Sequence, residues 1–155
     1  MNYSLSIPES ELVKLAHTVE GRLHAARTHV QGAMGETFKD IVMRNFGPDG
    51  IDRPFPWQPL SNSWPHYYAN KVGRAYATLR ETGLMQSAVK LTHTEESSTI
   101  SLSDADCPYA TRHHFGDGNL PSRRVFPIKM DGTITDYTHD AVMESAFHAM
   151  EEALR

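Results

Sequence analysis

The chain has 155 residues, enough for one domain that buries a sizeable core without staples, and its single Cys107 cannot close an intramolecular bridge. Its 15 Lys plus Arg stand against 19 Asp plus Glu, and the net charge of -4 argues against wholesale wrapping of nucleic acid, which favours basic faces. No apolar run approaches the roughly 18 residues of a membrane span, and Met1-Asn2-Tyr3-Ser4 has no charged region leading into an apolar stretch, so neither a span nor a signal peptide is expected.

From Pro8 to Phe46 apolar residues recur at Leu12, Leu15, Val19, Leu23, Ala26, Val30, Ala33, Phe38, Ile41 and Val42, a three-and-four spacing that predicts one long amphipathic helix. Ser6 offers an N-cap oxygen, Pro8 suits an early helical position, and Glu9 and Glu11 sit at the positive end of the dipole. Asn45-Phe46-Gly47-Pro48 is the stop. Unbroken, this helix would run roughly 55 Å at about 1.5 Å per residue, against a body about 40 Å across. One end must therefore project, or the helix must bend, with Gly32 and Gly35 marking the expected kink. A projecting half would expose its stripe unless a neighbouring subunit covers it.

Residues 47–66 hold five prolines with Phe55, Trp57 and Trp64, which predicts an ordered arm pinned by its aromatics. A short helix is expected around Tyr67 to Arg80. Ser87, Val89, Leu91 and His93 then alternate as a strand, Glu95-Glu96-Ser97 turns, and Ile100 and Leu102 alternate on the return. Val125 to Ile128, Asp131-Gly132 and Thr133 to Thr135 predict a further turn between β-prone segments. Asp136 to Thr138 offer caps for a final helix with Val142, Ala146, Phe147, Met150 and Leu154 on one face. The expected fold is α+β: a long N-terminal helix (1–46), the Pro-rich arm (47–66), a short helix with a small, mainly antiparallel sheet (67–136) and a C-terminal helix (137–155), forming one domain.

An ordered series of short signatures runs through the middle of the chain: Trp57-Gln58-Pro59-Leu60-Ser61, Glu81-Thr82-Gly83-Leu84, Tyr109-Ala110 before His113-His114-Phe115-Gly116, and Leu120-Pro121-Ser122-Arg123-Arg124-Val125-Phe126. Over roughly residues 38–136 this series resembles the phage virion morphogenesis family, the tail completion proteins of contractile-tailed phages. The spacing after Gly83 and after Arg123 departs from the family pattern, and Ile51 to Pro56 lengthens the arm. The resemblance implies a non-enzymatic structural role: completing or capping the tail and helping it join the head. It implies a ring of identical copies with tail or neck proteins as partners, in the virion and, during assembly, in the host cytoplasm.

The residues expected to matter are structural. Trp57 and Leu60 dock the arm, Trp64 and Trp57 are candidate interface anchors with a core role the alternative for Trp57, Gly83 turns the chain into the hairpin, Tyr109, Phe115 and Gly116 set the central loop with His114 as a further structural or interface candidate, and Pro121, Arg123 and Phe126 guide the next strand. No catalytic residue, metal or cofactor is expected. Cys107, His113, His114 and Asp117 lie close in sequence, but their spacing matches no recurrent structural zinc pattern, and the remaining histidines are scattered. The rival from another class is a metal- or thiol-dependent enzyme using Cys107 to Asp117. A third reading is a small nucleic-acid-binding module, in which Arg112, Arg123 and Arg124 with the two histidines face DNA; the same residues also fit an acidic partner surface or a solvated loop.

Overall fold

In the computed structural model the described residues are 9–47, 50–58, 79 and 82–155. Helix α1 runs unbroken from Glu9–Asn45, 37 residues, so neither Gly32 nor Gly35 breaks it. Ser6 and Pro8, its expected cap, lie outside the described residues, as do Leu60, Trp64 and all of the expected Tyr67 to Arg80 helix except Leu79. The chain is α+β. Strands β1 (Lys90–His93) and β2 (Ser98–Ser101) form a two-stranded antiparallel sheet with Leu91 opposite Ile100, closed where the Thr94 N–H donates to the Ser97 carbonyl at 2.8 Å. A single turn of helix, α2 (Leu84–Ser87), precedes the hairpin, α3 (Ala110–Phe115) follows it, and α4 (Asp136–Leu154) ends the chain.

The C-terminal part of α1 is covered on two sides. The hairpin crosses it at Gly35, where Leu91 and Ser98 come so near that an added Cβ would lie 2.9 Å from Leu91 Cδ1 and 2.9 Å from Ser98 Oγ. The Ser98 hydroxyl donates to the Gln31 carbonyl, tying the hairpin to the helix. Gly35 is therefore a crossing point for another element, whereas the space around Gly32 is open. On the other side α4 runs antiparallel: Tyr137, Ala141 and Glu144 line a cleft with Ile41 and Arg44, while Glu152 reaches His29 at 3.4 Å. Residues 9–25 are exposed throughout, a length of about 25 Å, and near its base His24 Nδ1 lies 3.1 Å from Glu95 of the hairpin turn.

The core beneath α1 joins Val42, Phe46, Met85, Ala88, Val89, Cys107, Ala110 and Val125. Two expectations need correction. Helix α4 buries Thr138, Val142 and Ala149 and leaves Met143, Phe147 and Met150 exposed, because at 100° per residue Phe147 sits about 140° round from Val142. The Val125 to Ile128 segment does not extend the sheet. It makes one antiparallel bridge, Ile128 to Ile134, around the expected Asp131-Gly132 turn, and Pro127 has no N–H to donate to a longer ladder. In that turn Gly132 takes φ +85° and the Asp131 carboxylate accepts the Thr133 N–H at 2.9 Å.

The two helix glycines should therefore respond oppositely to the same change. Gly32→Ala should raise stability by about 1 kcal/mol through helix propensity alone. Gly35→Ala, with the same propensity gain, should lower it by about 1–2 kcal/mol because the hairpin must move. Urea unfolding of both variants checks this, and equal gains would contradict the hairpin contact.

Candidate interaction surface

A set of polar side chains gathers where α1 ends. Asn45, the last residue of the helix, is 0 % exposed, and its whole side chain is used. Its Nδ2 donates to the carbonyls of Asp52 at 3.0 Å and Val125 at 2.9 Å, and its Oδ1 accepts the Asp52 N–H at 2.9 Å. Its backbone carbonyl, orphaned at the helix terminus, accepts from Arg53 Nε at 3.0 Å and Nη2 at 2.8 Å. Arg53 thus caps the negative end of α1 with a fixed charge.

Arg53 also carries the arm. Its guanidinium lies 3.6 Å over the Trp57 ring, and the indole Nε1–H donates to the Arg124 carbonyl at 3.1 Å. Trp57 thereby touches a cation on its face and the Arg124 carbonyl at its edge. Asp52 reaches the other way. Its Oδ2 accepts the Thr138 N–H at 3.1 Å and the hydroxyls of Thr135 and Thr138, which caps α4 from more than 80 residues away. Thr135, at the N-cap position itself, makes no side-chain cap. Asn45, Asp52 and Arg53 escaped the sequence reading: the first looked like part of a stop signal and the others like insertion in a variable loop.

The second half of the surface is the central loop. Gly83 enters α2 at φ +73°, and α3 is ended by Gly116 at φ +83°, where a Cβ would meet the Leu120 carbonyl oxygen at 2.9 Å. Pro121 and Ser122 follow in extended chain, with the Ser122 hydroxyl donating to the His114 carbonyl at 2.6 Å and the Arg123 N–H to the His113 carbonyl at 2.7 Å. Tyr109 packs on the core and meets the His113 ring edge-on at 5.6 Å. His114 meets Phe115 at 4.7 Å and Phe126 at 5.6 Å. Phe115 itself is 64 % exposed, so it offers its face outward instead of anchoring the loop.

The three arginines of the basic cluster part company. Arg112 pairs with Asp117 at 3.0 Å on the surface. Arg123 is only 5 % exposed, and Arg124 lies half-buried with its guanidinium 5.8 Å from the Phe55 ring and 5.7 Å from the Phe115 ring. Burial first, and the Arg123 charge second, hold the His113 pKa below its ordinary value. The same pair of causes, with Arg124 as the charge, takes His114 from 6.5 to about 4. Both rings are therefore neutral near pH 7. Cys107 is fully buried among apolar neighbours, and among the described residues no group of three or more His, Cys, Asp or Glu is placed to hold a metal ion.

A second kind of surface lies away from this cluster. Leu12, Leu15, Val19 and Leu23 are all exposed along the projecting half of α1, on the same helical stripe as Ala26, which is buried. Met143, Phe147 and Met150 make a second bare stripe on the outer side of α4.

The histidine pair sets a pH dependence. At His114 the unfolded ring binds a proton from about 6.5 downward while the folded one resists until about 4, and His113 is lowered in the same direction, so acid favours unfolding. Stability should be full above pH 6.5 and decline as pH falls toward 4. Asp104, Asp106, Asp131 and Asp136, held low by hydrogen bonds from Thr111, Lys90, Thr133 and Lys129 respectively, add their losses only below the ordinary carboxylate value of 3.8. Urea midpoints measured from pH 7.5 to 4.5 should slope downward in the native chain and flatten in His114→Gln; an unchanged slope would remove the role given to that ring. Comparisons with protein-family models, with curated proteins and with solved structures return no match.

Proposed function

We propose that this chain is a non-enzymatic structural protein of phage virion assembly, one that completes or caps the tail and assists head–tail joining as a ring of identical copies. The observation that carries the reading is the bare stripe of Leu12, Leu15, Val19 and Leu23 on a helix that projects from its own body. A monomer gains nothing from holding four large apolar side chains in water along one line, and a contact with another chain covers them. The series of signatures that resembles the tail completion proteins supports the same reading. Several of its described residues serve as joints of the backbone: Trp57 pins the arm, Gly83 and Gly116 turn the chain at positive φ, and Tyr109 packs on the core.

Two further observations favour binding over catalysis. The Cys107 thiol is fully buried in the apolar core, and a thiolate nucleophile requires both access and a lowered pKa. Arg123 is buried and Arg124 lies between aromatic rings, which leaves little of the cluster to track a phosphate backbone.

Electron microscopy of particles made with and without this gene tests the proposal. Its loss should yield tails with open ends that do not join heads, with infectivity restored by the native gene and not by one carrying Leu15→Asp and Leu23→Asp together. Normal, infectious particles in its absence would overturn the assignment.

A further inference from the structure

Among the described residues four enclosed side-chain nitrogens have no hydrogen-bond partner: His113 Nδ1, His114 Nδ1, Arg123 Nε and Arg124 Nε. All lie in α3 or in the extended segment that returns past it, tied to it by the bond from the Arg123 N–H to the His113 carbonyl at 2.7 Å. Folded proteins match nearly all their buried polar atoms, so orphans gathered in one place call for a partner. The two arginines differ in how far the chain provides one. Arg124 has substitutes, its Nη1 lying 3.4 Å from the carbonyls of Ile128 and Lys129 and its guanidinium over the Phe55 and Phe115 rings. Arg123 is 5 % exposed, and among the described residues its guanidinium meets neither an acid nor a carbonyl. Asp117, the nearest acid in the sequence, is engaged by Arg112 at 3.0 Å. A histidine escapes the cost of burial by staying neutral, as His113 does, but a guanidinium keeps its charge. The terminal nitrogens of Arg123 are not among the enclosed atoms, so its charged tip is the part that reaches the surface.

We propose that the Arg123 guanidinium, with the His113 ring nitrogen beside it, is a binding site for one oxyanion, a phosphate or carboxylate group; the inference stands apart from the ring and from the tail role. A guanidinium presents its N–H donors in one rigid plane, and the oxygens of such a group accept them in pairs. His113 adds a donor when its proton sits on Nδ1, and Tyr109, edge-on to that ring at 5.6 Å, steadies its plane. Burial and the Arg123 charge are what act on His113, with no carboxylate among them, so an anion arriving here meets attraction without repulsion. With so little of Arg123 at the surface the site takes one group at a time and gives no track to a nucleic-acid backbone.

Proton NMR of the histidine rings in the full-length chain tests this, with sodium phosphate or sodium acetate exchanged for sodium chloride at constant ionic strength. The added anion should move the His113 ring signal saturably and raise the pH at which that ring titrates, because a bound negative charge favours the imidazolium. His139, exposed on α4, should not follow and reports any general effect of the salt. Arg123→Met should weaken the response roughly tenfold or more. In chloride alone its urea midpoint should equal or exceed the native one, since the substitution removes a buried charge that the chain does not pair. His113→Phe, which keeps a ring and removes Nδ1, should weaken phosphate binding by roughly threefold, followed at the Arg123 backbone amide. A tighter response to phosphate assigns the site to a phosphate group, and a tighter one to acetate assigns it to a carboxylate such as an acidic side chain of another chain brings. A His113 signal indifferent to both salts, a response that survives Arg123→Met, or an Arg123→Met chain much less stable than the native one in chloride would each overturn the inference.

Discussion

A 37-residue helix is longer than any described element packed against it, and the rest of the described architecture answers to that mismatch. Coverage by the hairpin and α4 begins near Ala26 and strengthens toward Asn45. An isolated helical segment of the length of residues 9–25 is marginal in water, so the tip is held by continuity with the packed half and not by contacts of its own. Its stripe lies in line with the face that α4 covers further along.

The packed half is fixed by polar bonds at one end more than by apolar area. Asn45, completely enclosed, ties the end of α1 to Asp52 and to Val125, and Asp52 in turn holds the first turn of α4. Three segments distant in sequence are oriented by one amide and one carboxylate. Buried polar groups cost free energy unless every lone pair and proton is matched, so such a knot tolerates one arrangement and excludes its neighbours. Arg53 and Trp57 extend it outward into the arm, and the arm holds Arg124 among the aromatic rings. With the C-terminal end of α1 immobilised in this way, the angle at which the tip leaves the body is set as well.

How much of this was legible follows from what sequence periodicity can carry. The long helix was plain, because ten apolar positions repeat in phase and Asn45-Phe46-Gly47-Pro48 ends the run. Its continuity through Gly35 was not, since that glycine answers to Leu91 and Ser98, whose approach no local pattern announces. The hairpin turn and the Asp131-Gly132 turn were readable from their polar residues, while Pro127 and the single bridge at Ile128 show why a β-prone composition is not yet a strand. Helix α4 was expected, but the choice of buried face was decided by Val142 and Ala149 fitting against α1, a matter of shape and not of hydrophobicity. In the candidate surface, Trp57 stood out by its ring and by the Trp57-Gln58-Pro59-Leu60-Ser61 signature it opens. Asn45, Asp52 and Arg53 were missed because their partners lie between 6 and 86 residues away and polar side chains in loops ordinarily face water.

The proposed reading makes this a subunit whose chemistry is contact. The apolar stripe is borne on one continuous helix, the packed end of that helix is anchored by a polar knot, and among the described residues its far end is exposed. Hydrogen exchange across α1, followed by mass spectrometry in dilute and in assembled protein, tests this most directly. Residues 26–45 should be protected in both states, and residues 9–25 should exchange fast when dilute and slow on assembly. Equal protection of both halves in the dilute monomer, or an assembled form in which residues 9–25 still exchange freely, would contradict the account.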